Sequence, residues 1–296
     1  MSTYSRPADL PNFENPPVVE VVLSIQFEQI ARLRTAQIGL LWTKLRAEFP
    51  KVEELAPIAP VIESFGPPTA GRVGFRFEAL DVPPLARVLF LNDSQDQLVQ
   101  IQPDRLLHNW RKTTGAQPYP RYGAIREAFL RELGLFQEFL AQESVGPLRI
   151  NQCEVTYVNH ILPAGAWVEH GDADKIFRVL GKPMAGPFLP APEDVGMQLR
   201  YVIRRDEGTP LGRLHVSIQP GWLKPENAPM YVLELTARGA PVGANVEGAR
   251  SFFDIGHDWI VRGFKDLTTS TMHETWRLTN GLYRDSAIKY GRNVEP

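Results

Sequence analysis

Val18-Val19-Glu20-Val21-Val22-Leu23-Ser24-Ile25-Gln26-Phe27 sets Glu20, Val22, Ser24 and Gln26 against Val19, Val21, Leu23, Ile25 and Phe27. A period of two with one strongly apolar side describes a strand lying on a core. Past Ile30 the spacing turns helical. Ile38, Leu41, Leu45 and Phe49 share one side, which predicts a helix within 31–55 that ends at Pro50 or a little beyond. Residues 61–65, 72–78, 87–91 and 98–102 then read as short strands, separated by Gly66-Pro67-Pro68, Pro83-Pro84 and the polar turn Asn92-Asp93-Ser94-Gln95-Asp96. Turns this short imply an antiparallel meander. Ile125, Phe129, Leu133, Phe136 and Leu140 follow at helical spacing, predicting a helix over 123–142 that crosses one face of it.

The order then repeats. A long β-forming run occupies 149–161, and a Pro- and Gly-rich connection over 163–196 carries a small helix near 174–180. A hairpin of 196–205 with 211–219 and a strand at 230–238 come next. The closing helix, 250–270, places Phe253, Gly256, Ile260, Gly263, Phe264 and Leu267 on one face. The expected class is α+β: two β-α-β(3-4)-α units, 1–146 and 147–276, with a polar tail over 277–296. Antiparallel sheets would carry long helices packed on one face, in an element order like that of TATA-binding-protein-like or helix-grip folds. The repetition of order suggests an internal duplication of topology.

Composition narrows the function classes. The 32 basic and 34 acidic residues give a formal charge of -2, so no global field draws the chain to nucleic acid or to anionic membrane. Cys153 is the single cysteine, which excludes an intrachain disulfide and a cysteine-based metal site and fits a reducing compartment. No apolar run approaches the roughly 20 residues of a membrane span. A cytoplasmic protein without membrane contact is expected, with 43% hydrophobic residues to build its core.

The densest unusual cluster is Arg105, Asn109, Trp110, Arg111 and Lys112, followed by Tyr119, Arg121 and Tyr122. Interleaved cations and aromatics can hold a phosphate and stack a base, so these residues are the candidate ligand-binding set for a nucleotide or a single strand. The alternative is that Trp110, Tyr119 and Tyr122 anchor the crossing from meander to helix, with arginine stems covering the rings. Asp254, His257 and Asp258 in the closing helix invite a metal-dependent hydrolase reading, although no other ligand stands at a recognised spacing. On the helical wheel His257 edges the apolar stripe while both acids point outward. On the strand at 149–161, alternation puts Cys153, Tyr157 and Asn159 on one face and Glu154 and His160 on the other, so Cys153 and His160 cannot pair. Glu154 and Arg200 are candidates for a buried pair. Phosphate-loop, dinucleotide, nucleophile-elbow and zinc-protease signatures are missing from the sequence.

Phe13-Glu14-Asn15-Pro16-Pro17-Val18-Val19-Glu20-Val21, Asn109-Trp110-Arg111-Lys112, Tyr119-Pro120-Arg121-Tyr122 and Tyr157-Val158-Asn159 together resemble a sporadically distributed family of uncharacterised prokaryotic proteins. The resemblance implies no activity, cofactor or catalytic residue. The family's patchy distribution is compatible with carriage on mobile or defence-linked gene clusters. The expectation is a non-enzymatic binding protein, without cofactor or resident metal, that presents a sheet surface or groove to a protein partner. The nucleotide or nucleic-acid reading is the alternative, and exposed sheet edges make a homodimer plausible.

Overall fold

The computed structural model describes residues 4–66, 85–115, 117–181, 186–243 and 245–280. Within them β1 (Asn12–Phe13) precedes β2 (Val18–Phe27), the strand that the opening alternation predicts. Next is α1 (Thr35–Leu45), which buries Ile38, Leu41 and Leu45. The helix is shorter than expected. Residues Lys51–Leu55 form β3, an edge strand exposed along its whole length. Pro50 cannot continue the helical ladder, and β3 is held by main-chain pairing with β4 (Arg87–Leu91) and a Lys51 bond to the Asp93 carbonyl rather than by burial, which leaves no burial pattern to read. Residues 61–65 do not form the expected strand, and 72–78 lie outside the described residues.

β5 (Gln97–Gln102) and β6 (Arg105–Arg111) complete the first meander, so the run from Arg105 to Arg111 is itself a strand. It leads to α2 (Arg121–Gln142), whose stripe Ile125, Phe129, Leu133, Phe136 and Leu140 is fully buried, as its spacing requires. The second half runs through β7 (Ile150–Ile161), the short helix α3 (Ala173–Ile176) flanked by single helical turns, β8 (Met197–Arg204), β9 (Pro210–Leu223) and β10 (Ala228–Gly239). It closes with α4 (Val246–Leu267), α5 (Ser270–Thr275) and β11 (Leu278–Asn280). The chain is α+β.

Among the described residues one nine-stranded antiparallel sheet runs in the order β3-β4-β5-β6-β2-β7-β10-β9-β8. The two halves meet where β2 pairs with β7: Val21 opposes Tyr157, Leu23 opposes Val155 and Ile25 opposes Cys153. This row faces α2 and α4 and is buried throughout. The alternate row places Ser24 opposite Glu154 and Gln26 opposite Gln152, so the second face is polar. Among the described residues it carries a small apolar cluster: Leu89, Leu91, Leu98 and Leu107, with Val22 against them. β1 pairs with β11, which brings the amino-terminal arm to the end of α4.

The segment 56–66 crosses the second face. Gln26 binds both the N–H (2.8 Å) and the C=O (2.5 Å) of Val61, and Gln102 does the same for Ile58 (3.1 and 2.8 Å). Gln152 accepts from the Glu63 N–H at 3.0 Å, and the Glu63 carboxylate reaches Arg213 and His215 on β9. Glutamine side chains thus take the main-chain bonds that a neighbouring strand would otherwise make. Among the described residues no helix is long and apolar enough to cross a membrane.

Gly256 sets the approach of α4 to the sheet: a Cβ there would lie 3.1 Å from Val155 Cγ2 and 3.2 Å from the Ala237 Cβ. Gly256→Val should destabilise the protein by about 1–3 kcal/mol through overpacking, read as a lower denaturant midpoint at unchanged slope.

Candidate functional site

A cavity of about 360 Å³ opens between the first turn of α2, the middle of α4 and the amino-terminal arm. Its floor is the sheet, where Tyr157, Asn159 and Leu235 project. Tyr119 and Tyr122 form one wall, His257, Ile260, Val261 and Phe264 the other, and Tyr4, Arg6 and Phe13 close over the arm side. Apolar and aromatic surface dominates, and the polar groups are few and convergent.

Each side chain is placed by local structure. Arg121 has a left-handed backbone (φ 71°) at the entry to α2, a conformation costing of order 1–3 kcal/mol for a residue with a side chain. Its guanidinium offsets that cost by donating to the carbonyls of Phe13 (2.8 Å) and Glu14 (2.9 Å), which ties the arm to the helix. One residue on, the Tyr122 ring lies flat on His257, with centroids 3.8 Å apart and planes 5° apart. The Tyr122 hydroxyl donates to Asp254 Oδ1 (2.8 Å), and Arg126 grips the same carboxylate through Nε (2.7 Å) and Nη2 (2.9 Å). Burial opposes the charge on Arg126, but hydrogen bonding and attraction from Asp254 outweigh it and hold the guanidinium above its ordinary value. Helix α2 is thus pinned to α4 by a stack and a forked ion pair.

A hydroxyl chain runs along the floor. Tyr119 donates to the Tyr157 hydroxyl (3.1 Å), which lies 2.8 Å from His257 Nδ1. With its own oxygen accepting from Tyr119, Tyr157 passes its proton toward Nδ1, which selects the neutral imidazole with hydrogen on Nε2. Burial, reinforced by the Arg6 cation, pushes His257 down to about 3. Burial pushes the Tyr119 and Tyr157 phenols well up and, with Asp254, takes Tyr4 to about 12. An imidazole so depressed is a poor general base near neutral pH, and the buried Cys153 thiol, also pushed up, is a poor nucleophile.

The structure divides the sequence candidates. Tyr119, Arg121 and Tyr122 line the cavity. Trp110 is buried beside Tyr119 with ring centroids 5.4 Å apart. Arg105 and Asn109 point to the opposite face of the sheet, where Arg105 donates to Gln26 (2.7 Å) and Asn109 to Glu20 (2.5 Å). Arg111 donates to the Gln95 carbonyl at 2.9 Å, and the exposed Lys112 follows at the strand end. The separation follows from β6 being a strand, whose consecutive side chains alternate faces.

His257 lies deeper than the edge of the stripe, and Asp254, though partly exposed, is bonded to a neighbouring helix. Asp258 pairs with Arg262 at 2.9 Å. No group of three or more His, Cys, Asp or Glu side chains among the described residues could hold a metal ion. Glu154 pairs with Arg238, directly opposite on β10, at 2.5 Å, not with Arg200, which lies two strands further on and opposes His215. A buried pair was also missed: His108 Nδ1 sits 2.9 and 3.0 Å from the two oxygens of Glu132 beneath α2. Phe13 enters the sequence reading only as part of a motif, and Tyr4 and Arg6 are not among the sequence candidates because they belong to a polar, proline-containing arm. The aromatic residues within it were the available signal.

Comparison with protein-family models, with curated proteins and with solved structures returned no match.

Two outcomes follow from this geometry. Asp254→Ala strips the carboxylate from buried Arg126 and should cost about 1.5–3 kcal/mol in denaturant unfolding, as expected for a lost charged hydrogen bond. The unfolded His257 takes a proton below about 6.5, whereas the folded one waits until about 3. Its contribution is therefore fully present above 6.5 and is lost as pH falls toward 3, at up to about 1.4 kcal/mol per pH unit. His257→Gln should flatten the acid limb of the stability–pH curve by about one proton.

Proposed function

We propose that the chain is a non-enzymatic binding protein that offers the groove between α2 and α4 to a protein partner, which seats an aromatic or aliphatic side chain in it. The observation supporting this reading is a largely aromatic cavity in which several polar groups are already bonded to one another: Tyr119 to Tyr157, Tyr157 to His257 and Tyr122 to Asp254. What faces an incoming group is apolar surface, the environment that favours a buried anchor residue at an interface. A cavity near 360 Å³ has room for one large side chain or two small ones. Arg6 Nη2 and both terminal nitrogens of Arg121 already donate to main-chain carbonyls, at 2.6–2.7 Å and 2.8–2.9 Å respectively, which weighs against a phosphate-led ligand in this groove.

The test is crosslinked affinity purification of the full chain from its native cell at varied wash salt. Val261→Asp puts a charge into the groove from a half-buried position on α4. A stoichiometric partner should be retained by the wild type at high salt and lost from the variant, with both proteins equally stable. Retention by Val261→Asp, or replacement of protein by nucleic acid that washes off with salt, would sink the proposal.

A further inference from the structure

On the second sheet face, β4, β5 and β6 bring Arg87, Gln100 and Arg105 together. Arg87 Nη1 donates to Gln100 Oε1 at 3.1 Å, and Arg105 stands directly opposite Gln102, hence diagonal to Gln100. Arg105 is buried to 8% exposure and Gln100 to 4%. Three donors in this cluster, Arg87 Nε, Gln100 Nε2 and Arg105 Nε, are buried with no hydrogen-bond partner among the described residues. All are N–H groups, so only an acceptor can satisfy them.

Charge decides what kind of acceptor. Of the neighbouring carboxylates, Glu154 is paired with Arg238 and Glu63 with Arg213 and His215, while Asp104 accepts from the neutral Gln102 amide and acts on Arg105 only at longer range. Glu53 is exposed on β3, opposite Leu89. Arg87 and Arg105 have no ion-pair partner among the described residues, and each lies close enough to act electrostatically on the other. Burial, with the Arg238 and Arg87 cations, outweighs Glu154 and Asp104 and pulls the Arg105 guanidinium below its ordinary value. A neutral water would satisfy a donor but leave Arg87 and Arg105 without an ion pair, whereas an anion answers both.

We propose that Arg87, Gln100 and Arg105 form a binding site for an oxyanionic group, a phosphate or a carboxylate, on the face of the sheet opposite the α2–α4 groove. Arg105 also donates to Gln26 and to the Ala59 carbonyl (3.3 Å). It therefore links the site to the crossing segment 56–66, which would be held more firmly when the anion is bound.

The experiment uses the full chain, labelled with 15N-arginine and titrated with inorganic phosphate at constant ionic strength. Acetate is the carboxylate arm and chloride the control. The Nε–H resonances of Arg87 and Arg105, assigned with Arg87→Lys and Arg105→Lys, should shift together along one saturating isotherm. Gln100→Met, which removes the Nε2 donor together with the Oε1 acceptor that positions Arg87 and keeps the side-chain volume, should weaken that isotherm by about tenfold or more. Saturation by phosphate alone assigns a phosphoryl group, and saturation by both anions assigns an oxyanion in general. Resonances that stay fixed, that move equally with chloride, or that respond identically in Gln100→Met would overturn the proposal and leave the cluster as a hydrated structural feature.

Discussion

The antiparallel pairing of β2 with β7 is the constraint on which the rest of this structure depends. It joins two meanders into one sheet, and because side chains alternate along each strand it assigns every residue of both halves to one of two faces. A slip of one residue at this seam would bring Glu154 in place of Val155 beside Leu23 beneath the helices. The resulting burial of a carboxylate and the exposure of an apolar row would both oppose folding. The all-apolar row Val21, Leu23, Ile25 against Tyr157, Val155, Cys153 therefore fixes the register as well as supplying the core.

Once both halves share a sheet, their closing helices lie side by side, and the groove is a consequence. The Tyr122–His257 stack and the Asp254–Arg126 fork come one partner from each half, so the cavity exists only in the joined molecule. The amino-terminal arm completes it. Arg121 holds the arm through two carbonyls, and the left-handed backbone at that residue is stabilised by those same bonds. Protonation of His257 would break the acceptor role of Nδ1 toward Tyr157, which couples the groove's floor to acid pH.

The second face follows a different logic. Among the described residues no long helix covers it; it is filled by glutamine, arginine and threonine side chains, and the segment 56–66 is bound there through its backbone. Glutamine suits that role because one amide can donate and accept at once, answering a residue's C=O and N–H as a paired strand would. The polar row is thus structural where Gln26, Gln102 and Gln152 grip the segment, and it has donors to spare where Arg87, Gln100 and Arg105 meet.

Local periodicity carried the α+β class, the strands β2, β7 and β10, and the buried stripes of α2 and α4, because burial of one face imposes a period of 2 or 3.6 on the residues themselves. It carried less where burial was absent or supplied from elsewhere. The edge strand β3 has no apolar face, and 61–65 has strand-like residues but bonds to side chains, so both were misread. The clustering of Trp110, Arg105 and Tyr119 in sequence was legible, but not its division between the two faces, since that required knowing that 105–111 is a strand. Nothing in the order of residues announced that Tyr122 would meet His257, 135 positions away, or that Arg126 would meet Asp254. Contacts of that range arise when helices dock on a common sheet, and the chain encodes them only through the packing of the whole fold.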